Sequence, residues 1–183
     1  MEDVVKEVGV TRGAFYHYFK SREDLIMAVV DKMFYDNNPF EIAAKRTDLN
    51  ALEKLRFALL EGVTGNTDDS SRIRELLKVV DNPVIFKSEF HSQLSTIAPY
   101  IEKLLTEGDK DGSMSVLFPK QAAEIIALLP NVWLSHKVAE ISEVEFIDRV
   151  SFFAYITESI GVPIISDEIK QLILAQYKNV IIK

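Results

Sequence analysis

The sequence contains no cysteine, which removes disulfides, thiolate nucleophiles and cysteine-built zinc sites together and suits a reducing compartment. Glycine and proline are also scarce, at seven and six in 183 residues, so turn-rich all-β architectures have little material to work with. The uninterrupted apolar runs, Ile125 to Leu129 among them, are far short of the roughly 20 residues that cross a bilayer. No basic-then-apolar leader opens the chain, and the expected location is the cytoplasm, without a membrane segment. Positive charge is not in excess either: the net charge is -7, which argues against a protein that coats nucleic acid along its whole surface.

The residues of catalysis are equally sparse. The three histidines, His17, His91 and His136, lie far apart, and no two form an i, i+4 metal pair. No Gly-x-Ser-x-Gly elbow or phosphate-cradling glycine loop occurs. Asp68-Asp69 and the pair Asp109 and Asp111 read as solvated loop residues, and Asp109-Lys110-Asp111-Gly112 lacks the terminal glutamate of a calcium loop. No catalytic group, metal or cofactor is expected, and the chain does not read as an enzyme.

What is present is helical periodicity. With 48% hydrophobic residues the chain can bury a sizeable core, and its apolar positions recur at helical rather than alternating spacing, predicting an all-α protein. Glu2 to Val8 reads as a short helix with Val4, Val5 and Val8 on one face, closed by Gly9 in a left-handed turn. Thr11 is the expected N-cap of a second helix running to Tyr18, with Val10, Phe15 and Phe19 as its buried contacts. Ser21 caps a third helix, with Asp24 in a variant of the capping box. Its stripe of Leu25, Ile26, Val29, Val30, Met33 and Phe34 carries on to about Tyr35.

A local island of charge sits on this region. From Gly9 to Arg22 there are three cations, two tyrosines, one histidine and no carboxylate. Two short helices joined by a glycine-containing turn suit a helix-turn-helix, whose second helix protrudes into a major groove. On that helix Gly13 and Ala14 leave a low outer face, and Thr11 and Arg12 stand where base edges would be reached. Tyr16, His17, Tyr18, Lys20 and Arg22 are suited to phosphates.

The segment from Val4 to Leu25, VVKEVGVTRGAFYHYFKSREDL, closely resembles the DNA-binding segment of the TetR/AcrR family of repressors. The Gly-Val turn, the small pair, the Tyr-x-x-Phe ending and the Ser-basic-acidic-acidic-Leu start of the next helix fall in the family's order without a gap. The resemblance covers about the first thirty-five residues. Two departures stand out. The family often has His immediately before the Phe, where this chain has Tyr18 next to His17. Family members also begin with a further helix packed on the helix-turn-helix, whereas this chain starts inside the next one, so weak DNA binding by these residues alone is expected.

Behind that segment the punctuation predicts further helices. Asn37, Asn38 and Pro39 break the chain, and a helical region begins near Leu49 with a seam of Leu52, Leu55, Leu59 and Val63. A helix is expected from Ser71 to Asp81. Another runs from Pro83 to Glu107, with a stripe of Phe86, Phe90, Leu94, Ile97, Ile101 and Leu104 and a bend at Pro99. Pro119 to Lys137 is apolar on most of its circumference and is expected to face both its own core and a second subunit, with Ala123 and Ala127 permitting close approach. The helix Glu143 to Ile160 would complete a homodimer interface, so Ala123, Ala127, Leu134, Val150 and Phe153 are the candidate contacts. The domain reading is a helix-turn-helix with its connecting helix over 1–35 and a helical regulatory and dimerisation domain over 36–183.

The resemblance implies a repressor on a palindromic operator of double-stranded DNA, released by a small-molecule effector bound in the second domain. Phe57, Phe86, Phe90, His91, Tyr100, Trp133 and His136 are the candidate lining of a pocket for a hydrophobic effector. The alternative is a helical dimer that senses a ligand or binds a protein and no longer grips DNA well.

Overall fold

The computed structural model describes residues 2–64, 83–134 and 141–181, and among them every regular element is helical. The expected helix from Ser71 to Asp81 lies outside the described residues. The elements are α1 (Glu2–Val8), α2 (Arg12–Tyr18), α3 (Arg22–Asp36), α4 (Pro39–Ala44), α5 (Ala51–Thr64) and α6 (Pro83–Ser92). A π-helical turn (Gln93–Ile97) then leads into α7 (Ala98–Asp111), followed by α8 (Pro119–Val132), α9 (Glu143–Ser159) and α10 (Asp167–Ile181).

Local chemistry sets most of these boundaries. Gly9 closes α1 at φ 71, a left-handed conformation that costs glycine little. Asn38 accepts the Phe40 and Glu41 N–H groups at 2.9 and 3.3 Å, and Pro39 occupies the first helical position, where its missing N–H is no loss. That cap starts α4, a helix not anticipated from the sequence, where Asn38-Pro39 reads as a break. At α5 a full capping box forms: Asn50 Oδ1 accepts from Glu53 N–H and Glu53 Oε2 accepts from Asn50 N–H, each at 2.9 Å.

The main core gathers Phe40 and Ala43 of α4, Leu55 and Ala58 of α5, Ile101 and Leu105 of α7, and Ala123 and Ile126 of α8. A second, smaller cluster joins α9 to α10, where Phe146 stacks on Tyr177 with ring centroids 3.9 Å apart. The Tyr177 hydroxyl donates to the Ile141 carbonyl at 2.9 Å, giving a buried polar tip its partner. Between α9 and α10 an extended strap buries Val162 and Ile164 in the main core. Arg56 of α5 holds this strap by donating to the carbonyls of Pro163 and Ile164 at 2.6 and 3.0 Å.

Several sequence expectations are corrected here. The stripe proposed through Phe86 and Phe90 does not run straight: both are exposed, at 43% and 41%, and Ile85 is the residue buried on α6. The π turn adds a residue to one turn, rotating the upstream face by roughly a hundred degrees. Pro99 falls in the first turn of α7 just after it. Glu107 and Gly108 do not end that helix. It continues to Asp111, with Gly112 at φ 78 as its left-handed cap. On α2, Phe15 is buried and Phe19 half-buried, but Val10 is exposed. The helix expected to reach Lys137 stops at Val132, capped by Trp133.

Asp111 is also more than loop surface. One carboxylate oxygen accepts from Ala51 N–H and the other from Ser113 N–H, both at 2.9 Å, and Ser113 Oγ accepts from Leu52 N–H at 3.3 Å. The end of α7 thereby satisfies the open N–H groups of α5. The Ser113 hydrogen bond, followed by those from the Ala51 and Ser113 backbones, holds the Asp111 carboxyl below its usual range. A depressed folded pKa stabilises above the unfolded value and loses that contribution as pH falls through the folded one. Urea midpoints should therefore decline as the solution is acidified from about pH 5. In Asp111→Asn that decline should be shallower, and an unchanged acid limb would show that this carboxylate does not matter.

Candidate nucleic-acid interface

The second helix is presented as a reading element must be. The backbone turns at Gly9 and Val10 into Thr11, whose extended conformation and Oγ1, accepting from Ala14 N–H at 3.1 Å, start α2 cleanly. After seven helical residues Phe19 leaves the helix, its N–H still bonded to the Phe15 carbonyl at 2.9 Å. Phe15 anchors the helix from below, with Phe19 tilted against it at 5.4 Å between centroids. Everything else on α2 faces out: Arg12, Gly13, Ala14, Tyr16, His17 and Tyr18 are all exposed. Tyr18 is the barer of the two tyrosines and meets His17 edge-on at 5.4 Å.

The third helix continues the surface. Ser21 Oγ accepts from Asp24 N–H at 3.0 Å, while Asp24 reaches back to accept the Lys20 N–H at 3.1 Å. This reciprocal cap fixes the link between α2 and α3 and leaves the Lys20 and Arg22 side chains exposed beside Tyr18 in sequence. All eight residues expected to touch DNA thus lie on exposed positions from Thr11 to Arg22. A feature missed in the sequence is Glu2: its carboxylate forms an ion pair with the Arg12 guanidinium across ten residues. Only the fold reveals this, because no helical spacing relates the two positions.

The other candidate residues are more scattered. Phe57 packs against the main core with Arg46 over its ring at 5.8 Å, and Tyr100 stacks on Phe40 at 5.3 Å. Trp133 lies under Arg149, 5.2 Å from its ring; His136 lies outside the described residues. Among the described candidates, Phe57 and Tyr100 share the main core, whereas Phe86 and Phe90 are exposed on α6. An open groove of about 710 Å³ lies instead between α3 and the α6–π segment, and His91 is the one candidate among its lining residues. Met27, Asp31 and Tyr35 supply the α3 wall, and Val84, Lys87 and Ser92 are among those opposite.

The candidate dimer contacts face inward. Ala123 and Ala127 are 0% and 2% exposed and sit in the chain's own core, where α7 and α8 pack closely. Val150 and Phe153 are buried as well, and Leu134 packs on the α9–α10 cluster. On the same two helices the exposed apolar residues are Ile125 of α8 and Val144, Phe152 and Tyr155 of α9. Among the described residues no helix is long and apolar enough to cross a membrane, and no group of three His, Cys, Asp or Glu residues could hold a metal.

Residues 1–29 match the family model for bacterial regulatory proteins of the tetR family. No curated protein matches the chain.

Proposed function

We propose that this chain, whose N-terminal segment is that of a TetR-family DNA-binding regulator, acts as a homodimeric repressor released from its operator by a small molecule. The observation that carries the DNA-contacting part is α2 itself, a capped helix anchored by one buried phenylalanine with its remaining side chains exposed. Thr11, Arg12 and Gly13 would meet base edges at its start, and Tyr16, His17, Tyr18, Lys20 and Arg22 would hold phosphates. Residues 1–35 form the DNA-reading unit and 36–183 the regulatory unit in this reading.

Two such helices must stand roughly 34 Å apart to enter successive major grooves, which requires a second copy. The exposed apolar side of α9, with Phe152 and Tyr155 at helical spacing and their rings 6.4 Å apart, is where that copy would pack. Phe152→Glu combined with Tyr155→Glu is expected to turn a dimer into a monomer by light scattering, with helix content retained. A wild-type monomer at micromolar concentration would defeat this part of the reading.

The groove between α3 and the α6–π segment is the proposed seat of the effector, because its two walls belong to the DNA-reading and regulatory units. A ligand that fits one spacing of those walls better than another shifts the tilt of α3 and, with it, α2. The test is fluorescence anisotropy with fragments of the region upstream of the protein's own gene, repeated with a panel of lipophilic compounds. Affinity should fall steeply with salt, and Lys20→Ala with Arg22→Ala should lower the slope by about one for each phosphate contact removed. Salt-independent binding, or none, would overturn the assignment.

A further inference from the structure

The recognition helix carries one full cation, Arg12, and its guanidinium is already occupied in the free protein by Glu2 of α1. The other cations of the region, Lys6, Lys20 and Arg22, have exposed side chains and make no ion pair among the described residues. The neutralised charge is therefore the one placed at the reading end of α2, next to Gly13 in the first turn. Both partners are largely solvent-exposed, with side-chain exposures of 66% for Arg12 and 77% for Glu2, so the pair is accessible to exchange.

We infer that Glu2 masks Arg12 in the free protein, standing in for a DNA oxygen, and that duplex DNA must displace it to engage α2. The inference rests on the DNA-binding reading above and adds a self-competition to it. A carboxylate presents the same acceptor geometry to a guanidinium as a phosphate does, so the two compete for the same N–H groups. An exposed pair holds weakly, so the mask lowers affinity without abolishing it.

The measurement is anisotropy of a labelled mixed-sequence duplex at low salt with the full chain. The forms compared are wild type, Glu2→Gln, Arg12→Ala and the double variant, with Glu7→Gln as a control for losing one negative charge from α1. Glu2→Gln should tighten binding by about two- to fivefold, the range expected for releasing an exposed ion pair, and by more than Glu7→Gln does. In the Arg12→Ala background the excess gain should vanish, since the cycle isolates the coupling between the two side chains. Equal gains from Glu2→Gln and Glu7→Gln, or an excess that survives without Arg12, would overturn the mask while leaving DNA binding standing. Weaker binding by Glu2→Gln would also overturn it, showing that the pair supports the helix-turn-helix. If none of the forms binds duplex, the mask falls together with the DNA-binding reading.

Discussion

Gly161→Ala is expected to be the most damaging glycine-to-alanine change among the described glycines, lowering the free energy of unfolding by about 3 kcal/mol or more. Gly161 ends α9 at φ 82, and a β-carbon built there would lie 1.7 Å from the Ser115 carbonyl oxygen. The left-handed conformation alone costs a residue with a side chain about 1–2 kcal/mol. The contact costs more, because the obstacle is backbone and cannot rotate away. To relieve it the chain must part the Ser115 N–H from the Gly161 carbonyl, a 3.0 Å hydrogen bond that ties the start of the strap to the loop between α7 and α8.

Two other glycines separate these contributions. Gly9 and Gly112 have φ values of 71 and 78, but an added β-carbon at either meets nothing within 4 Å. Alanine at those sites should cost only the backbone conformation, about 1–2 kcal/mol. Urea unfolding of the three variants side by side is the check. Equal losses at all three would mean that the approach of Gly161 to Ser115 is not maintained in solution. A domain with a typical total stability of about 5–15 kcal/mol would lose a large share of it at Gly161. The strap would then no longer fix α9 against the core, and the outward face bearing Phe152 and Tyr155 would lose its orientation along with it.

The legibility of this chain follows the range of the interactions involved. Gly9, Thr11 and Ser21 were readable because a cap and the N–H it satisfies lie within a few residues, so sequence spacing is the geometry. The inward Phe15 and the outward Tyr16 and His17 follow from the same locality. Helix α4 escaped because six residues are too few to show a hydrophobic period, although Asn38 followed by Pro39 is also a sound helix start. Asp111 escaped because its partner, Ala51, is sixty residues earlier. The π turn carries no composition of its own, so the phase slip that exposes Phe86 and Phe90 could not be read.

Ala123 and Ala127 show a different kind of ambiguity. Small residues announce that a helix will approach another closely, but not which one. Here the approach is made by α7 of the same chain, so the outward side of α8 is left to Ile125. The helix-turn-helix was legible as a motif, whereas the Glu2–Arg12 pair depends on how α1 and α2 cross.

Gly13→Glu should separate folding from DNA recognition, with the largest expected effect on binding of any exposed substitution. Gly13 lies in the first turn of α2 with helical backbone angles, and a β-carbon there would meet nothing within 4 Å. A side chain at this position therefore disturbs no packing. Replacing glycine within a helix is favourable by up to about 1 kcal/mol, and a carboxylate near a helix N-terminus adds a few tenths more. The thermal midpoint should stay level or rise. Against DNA the same side chain places bulk and negative charge where the surface is lowest, between Arg12 and Tyr16. Like charges forced together at an interface cost several kcal/mol, and about 3 kcal/mol is roughly a hundredfold in affinity. Gly13→Ala, which adds only a methyl, should fall between the two proteins. If Gly13→Glu bound duplex as tightly as wild type, the groove-facing side of α2 would have to be a different one, and Thr11, Arg12 and Tyr16 would lose their proposed roles with it.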